Sequence, residues 1–127
     1  MKYVAIAAMV LSVGAHAADF ESRVANGKAA AATPEGENYE ASLGPIIGGA
    51  MQACIAIGSK EIANLGKFIV VGNVSATGSL VEVDFNPNTA VSRCFAEKLQ
   101  GQRLPKPPGT STLSAGFPIQ VTLSVVP

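Results

Sequence analysis

Residues 67–74 have the sequence KFIVVGNV, in which β-branched and aromatic side chains dominate. This composition predicts a β-strand. Turn residues follow at 76–79, and residues 80–85, LVEVDF, then alternate apolar and acidic side chains. Together the two runs predict an antiparallel hairpin whose acidic side faces water. The side expected to face the core carries Val81, Val83 and Phe85.

Helical patterns lie on both sides of this hairpin. Apolar residues recur at spacings of three and four from Tyr39 to Ile55, which predicts an amphipathic helix. Pro45 interrupts this pattern, so either a new helix starts near Pro45 or one long helix kinks there. A second helical pattern runs from Ala90 to Leu99, after turn residues that offer an N-cap.

The last predicted element is a strand over residues 117–126, whose sequence alternates almost perfectly. The order helix, strand, strand, helix, strand predicts an α+β fold with a small antiparallel three-stranded sheet and helices packed on one face. We place this domain at residues 37–127. Residues 18–36 show no sustained apolar period and are expected to form a flexible polar, Ala-rich arm.

The N-terminus has the pattern of an export signal. Lys2 precedes an apolar run of residues 4–13, and an A-x-A site ends at Ala17. We expect residues 1–17 to be a signal peptide cleaved after Ala17, which would place the protein in the periplasm. No second apolar stretch of about 20 residues is expected downstream, so no stable membrane insertion is predicted.

Cleavage would remove His16, the only histidine of the 127-residue chain, and would leave a net charge near −1. Histidine is the side chain best suited to proton transfer near neutral pH and the commonest metal ligand. We therefore expect no catalytic residues, no cofactor and no metal site. The charge and the few aromatic residues also argue against nucleic-acid binding.

Cys54 and Cys94 are the only cysteines. An even pair in an exported chain predicts a disulfide, and both residues fall on predicted helices that can share one face of the sheet. In the chain-entropy model, a loop of this length stabilises the native state by roughly 4 kcal/mol.

The ordered set of elements resembles the TonB C-terminal-domain-like modules of bacterial envelopes, in particular their cysteine-paired periplasmic branch. The resemblance spans Tyr39 to Pro127 and is carried by Cys54, residues 66–71, Gly78, residues 80–83, Cys94, residues 104–107 and the final strand. Energy-transducing members carry a membrane helix and a long proline-rich spacer, neither of which is expected here. The resemblance implies a sheet edge that pairs with an extended segment of a partner.

These observations lead to the expectation of a small, soluble, non-catalytic protein-binding module, either an inhibitor or immunity-type protein or an accessory subunit of an envelope complex. Basic residues in and after the second helix suggest a surface for an acidic partner. The alternatives are a self-associating structural protein, dimerising by strand pairing, and a histidine-free envelope hydrolase. The candidate partner-binding residues are Arg93, Lys98, Arg103, Lys106, Ile119, Val121, Leu123 and Val125.

Overall fold

A computed structural model describes residues 19–58, 61–109 and 116–126 of the chain. The predicted leader, with its cleavage site, lies outside the described residues. Within them, the elements in chain order are α1 (residues 19–31), α2 (Pro34–Gly58), a 3-10 turn (Ile62–Asn64), β1 (Gly66–Val74), β2 (Leu80–Asn86), α3 (Ala90–Gln100) and β3 (Phe117–Val125). The predicted α+β class, the antiparallel three-stranded sheet and the single disulfide are confirmed.

β1 is the central strand of the sheet, with β2 on one side and β3 on the other. Val70 pairs with Phe85 of β2 and with Val121 of β3. Val70 and Val71 point to opposite faces, yet each is only 1% exposed. The nearly continuous apolar run of β1 is therefore the pattern of a strand covered on both faces.

A β-bulge interrupts the pairing of β1 with β2. The register shifts between Val71 and Asn73, so Gly72 lies opposite two residues of β2, and Glu82 has a positive φ of 53°. Because one extra residue moves the following side chains to the other face, the predicted alternation is wrong at one end of β2. Leu80 is buried there, and Val81 is 38% exposed, whereas Val83 and Phe85 pack against the core as expected.

α2 and α3 cover the first face of the sheet, the face of Val70. Phe95 of α3 meets Phe68 of β1 edge to face, with ring centroids 5.8 Å apart. Tyr39 of α2 meets Phe117 of β3 in the same way at 5.5 Å. The core on this face also includes Leu43, Ala50, Val70, Val74, Leu80, Val91, Leu99, Leu104, Ile119 and Val125.

The disulfide joins these two helices. The Cys54 and Cys94 Cα atoms are 5.8 Å apart, which is within the normal range for a disulfide. At the start of α3, Thr89 and Ser92 form a reciprocal capping box that satisfies backbone N–H groups of the first turn. The cap therefore stabilises the first turn of α3, and the disulfide fastens the middle of this helix to α2.

α2 is one continuous helix that contains Pro45, so no new helix starts at this proline. The carbonyl of Ala41, which loses its intrahelical donor, belongs to an exposed residue that water can reach. Residues 34–57 have a mean hydropathy of 1.3 in their most apolar window and are long enough to span a bilayer, so the expectation of no second apolar stretch was wrong. Core helices of water-soluble proteins pass the same test.

α1 occupies the place of the predicted flexible arm, and it lies on the second face of the sheet. A Cβ on Gly27 would be 2.6 Å from Cβ of Gln120, whose partner in β1 is Val71. Helices therefore lie on both faces, not on one. The sequence signal was weak because half of the inward stripe of α1 consists of small residues; the stripe comprises Phe20, Arg23, Val24, Gly27, Ala30 and Ala31.

The close contact of α1 with β3 predicts that Gly27→Ala destabilises the protein. Alanine in a helix interior normally stabilises relative to glycine, but here the methyl group would have to displace Gln120, at a cost of about 1–3 kcal/mol. Thermal unfolding should show a lower Tm. The matched control is Gly48→Ala in α2, where nothing lies within 4 Å and a small gain in Tm is expected. A higher Tm for both variants would contradict this placement of α1.

Loss of the disulfide is predicted to lower the Tm strongly. Cys94→Ser opens a covalent link between residues 40 positions apart, and the chain-entropy model assigns roughly 4 kcal/mol to such a loop. Calorimetry of the variant and of the reduced wild-type protein should give similar Tm values. A Tm for Cys94→Ser within error of the oxidised wild type would show that the packing of α2 on α3 does not need the bond.

Candidate functional site

The four basic candidate residues do not form one surface. Arg93, near the start of α3, donates to Asn88 Oδ1 at 2.8 Å, whereas Arg103, beyond the end of α3, donates to the Thr77 carbonyl at 3.3 Å. The two arginines therefore lie toward opposite ends of a helix roughly 16 Å long. Lys98 and Lys106 are exposed, and Lys98 lines the same shallow pocket as Arg93 and Glu97. The structure therefore brings Arg93 and Lys98 together beside an acidic residue, whereas Arg103 lies apart from them on the loop after α3.

The four candidate residues of β3 point their side chains to the first face. Ile119 and Val125 are each 3% exposed and belong to the core. Val121 and Leu123 are half-buried and pack at the margin of the core. A partner that binds here would therefore meet the backbone of β3 and the accessible parts of Val121 and Leu123.

The outer edge of β2 is obstructed by the protein itself. The guanidinium of Arg23, on α1, donates to the carbonyl of Glu82 in the bulge. The N–H of Phe85 donates to Oδ1 of Asp84 at 2.8 Å, so one edge donor is already satisfied by its neighbour. Bulges and charged side chains are common means of preventing strand addition.

The outer edge of β3 has no paired strand within the described residues. Pro118 has no N–H, which suits a position whose backbone points away from β1. The β2 edge gives the same backbone orientation. The N–H of Phe85 points away from β1, so Val70, which pairs with Phe85, directs its own backbone N–H and C=O groups toward Val121 of β3. The backbone groups of the residues that alternate with Val121 therefore point away from β1; these residues are Gln120, Thr122 and Ser124.

A groove of about 240 Å³ runs along this edge, between α2 and β3. We call it the edge groove; its lining residues are Glu40, Leu43 and Ile47 of α2 and residues 119–122 of β3. Leu43 and Ile47 share one face of α2 with Glu40 because they follow it at spacings of three and seven. The edge groove therefore combines the half-buried side chain of Ile47, with buried Leu43 beneath it, with backbone hydrogen-bonding groups of β3 and one carboxylate.

Glu40 is the titratable group of the edge groove. It is half-buried, and desolvation by burial raises the pKa of its carboxyl group. Its carboxylate has no hydrogen-bond or ion-pair partner among the residues that the structure describes. A carboxylate in this setting weakens the folded state unless a cation reaches it.

Tyr39, next to Glu40, fixes the position of α2 beside β3. Its hydroxyl donates to the carbonyl of Pro105 at 2.8 Å, and its ring packs on Phe117. Burial raises the pKa of Tyr39 to about 12, so the hydroxyl keeps its proton at physiological pH. Tyr39 therefore connects α2 both to the loop after α3 and to the start of β3.

Other pockets lie elsewhere on the described surface. One of about 330 Å³ lies between α1 and the sheet, where Asp19, Arg23 and Asn26 face Asn73 and Glu82. Within the ranges 19–58, 61–109 and 116–126, no three His, Cys, Asp or Glu side chains are placed to hold a metal ion.

In comparisons with known proteins, no family model matches the chain, and no match was found among curated proteins or solved structures.

Glu40 and Arg23 were missed by sequence reasoning. Glu40 follows Tyr39 at the start of a predicted helix, where an acidic residue is ordinary, and its position beside β3 depends on the docking of α2. Arg23 lies in the segment that was expected to be flexible. The spacing of Phe20, Val24 and Gly27 is the signal that could have identified α1 as a helix.

Replacement of Glu40 by Gln is predicted to raise the Tm at neutral pH. Because the pKa of Glu40 is higher in the folded than in the unfolded state, its ionisation opposes folding, and the effect is complete only above the folded-state pKa. The gain of Glu40→Gln should disappear as the pH falls below the usual glutamate range, where both states are protonated. Thermal unfolding from pH 3 to pH 8 measures this.

The control for this prediction is Glu37→Gln, which changes an exposed acid in the first turn of the same helix. It should give no gain in Tm, because a negative charge at a helix N-terminus is favourable. Equal gains from both variants would assign the effect to net charge instead of the burial of Glu40.

Proposed function

We propose that the protein is a small periplasmic, non-catalytic protein-binding module, an inhibitor or immunity-type protein or an accessory subunit of an envelope complex. It binds its partner by adding an extended segment to β3. The observation that carries this proposal is the contrast between the two sheet edges. Arg23 and Asp84 occupy backbone groups of β2, whereas the outward groups of Thr122 and Ser124 lie on exposed residues of β3.

Strand addition suits the chemistry of this edge. Main-chain hydrogen bonds supply affinity, and pockets for alternate side chains supply specificity. An added strand would cover the half-buried side chains of Val121, Leu123 and Ile47, which already pack at the margin of the core. Burial of such apolar surface favours binding by about 25 cal/mol per Å² before the entropic cost of association is subtracted.

The proposal also draws on the resemblance to TonB C-terminal-domain-like modules, in which a sheet edge pairs with an extended partner. A second copy of the chain could use the same edge, which is the self-associating alternative. Both forms of binding depend on the backbone of β3, so one set of variants tests them together.

The test replaces Thr122 by Pro in a tagged chain expressed in the organism it comes from. Proline at an outward-facing position removes one edge donor and leaves the β1–β3 ladder intact. The control is Thr122→Val, which retains the N–H. We expect a stoichiometric envelope protein to co-purify with the wild type and with Thr122→Val, and its affinity to fall about tenfold or more for Thr122→Pro.

Circular dichroism and Tm measurements establish that both variants are folded. Equal capture of the partner by Thr122→Pro and Thr122→Val would contradict binding through the β3 edge. If no partner co-purifies but light scattering shows a dimer that Thr122→Pro abolishes, the self-associating alternative is supported. A monomer with no partner would contradict the proposal.

A further inference from the structure

We propose that the segment that docks on β3 carries a lysine or arginine whose cationic group pairs with Glu40 in the edge groove. This inference rests on the proposed function and specifies the chemistry of the partner. The occupant is therefore an extended peptide segment of another protein, with apolar residues on the side that faces α2 and one basic residue among them.

The position of Glu40 supports this assignment. Glu40, Leu43 and Ile47 line the edge groove on one side, and residues 119–122 line it on the other. A strand added to β3 would lie about 4.8 Å from it, and every second side chain would point toward the α2 side of the sheet. Such side chains would meet the accessible parts of Ile47 and Val121 in the groove and the carboxylate at the position of Glu40.

Charge decides which side chain fits there. Glu40 is half-buried and has no cationic partner among the described residues, unlike a surface glutamate surrounded by water. A docked peptide excludes more water from the groove, so a neutral side chain opposite Glu40 would leave a buried carboxylate unpaired. An acidic side chain would add repulsion. A lysine or arginine instead supplies the missing charge and hydrogen-bond donors.

The inverse arrangement, an acidic partner bound to the basic residues around α3, has less support. Arg93 and Arg103 lie toward opposite ends of α3, and each already donates to an oxygen of this chain. Glu40 is thus the ionisable group that stands next to the free edge without a partner of its own. Charge complementarity at the groove favours a basic segment.

The experiment selects random nine-residue peptides, displayed on phage, against the purified exported protein. Four proteins are used as bait: the wild type, Glu40→Gln, Glu37→Gln and Thr122→Pro. With the wild type and Glu37→Gln, we expect peptides of alternating apolar residues with Lys or Arg enriched at one fixed position. With Glu40→Gln, the apolar alternation should remain and the basic preference should vanish. Thr122→Pro should select no such peptides.

A synthetic version of the best wild-type peptide is used to measure the interaction energy between Glu40 and the basic residue of the peptide. Replacing its basic residue by Met should weaken binding to the wild type about tenfold and to Glu40→Gln by less than twofold. Titration calorimetry with the two peptides and the two proteins completes this double-mutant cycle. The cycle separates a direct charge pair from a general change in stability, because Glu40→Gln is expected to be at least as stable as the wild type.

The outcomes distinguish this inference from the proposed function. A basic preference that persists in Glu40→Gln, or strand-like peptides without any basic preference, would overturn the pairing with Glu40 and leave binding at the edge intact. Equal selection by Thr122→Pro and the wild type would place the peptides elsewhere and contradict edge binding itself. Failure of the wild type to select any peptide would count against both.

Discussion

Burial of β1 on both faces determines where the helices lie. Val70 and Val71 point in opposite directions and are both excluded from water, so the sheet needs a covering layer on each side. α2 and α3 supply the first layer, and the disulfide holds them to each other. α1 supplies the second, where Gly27 allows the helix backbone to approach Gln120 closely. A domain of this size has little core to lose, which is why each of these contacts matters to its stability.

The two edges of the sheet differ in how the helices cover them. α1 passes over the second face and brings Arg23 to the carbonyl of Glu82, so the helix that completes the core also obstructs the β2 edge. β3 receives α2 beside it, which leaves a groove, and Thr122 and Ser124 are exposed beyond the point where Gly27 of α1 lies against the backbone of Gln120. An edge strand with unpaired backbone groups favours aggregation unless it is protected or used. The asymmetry supports a role for β3 in binding.

Glu40 connects stability with recognition. Its half-buried carboxylate disfavours the free folded state, and the same property would favour a partner that brings a positive charge. Residues that weaken a protein while lining a groove are often explained by what the groove binds. The position of Glu40 depends on Tyr39, whose contacts with Pro105 and Phe117 hold α2 next to β3.

The strand of residues 67–74, the helix of residues 90–99 and the cysteine pair could be predicted from periodicity and spacing along the chain, although the N-cap of α3 is Thr89 and not one of the turn residues 86–88 expected to supply it. The sequence also indicated a single α+β domain. Only the folded chain shows the position of α1, whose inward stripe carries few large apolar residues, and the face of Leu80, which a bulge reverses. The tertiary structure also brings together the residues of the candidate site. Glu40, Arg23 and the edge of β3 acquire their roles only from residues distant in the chain, and no local pattern encodes that placement.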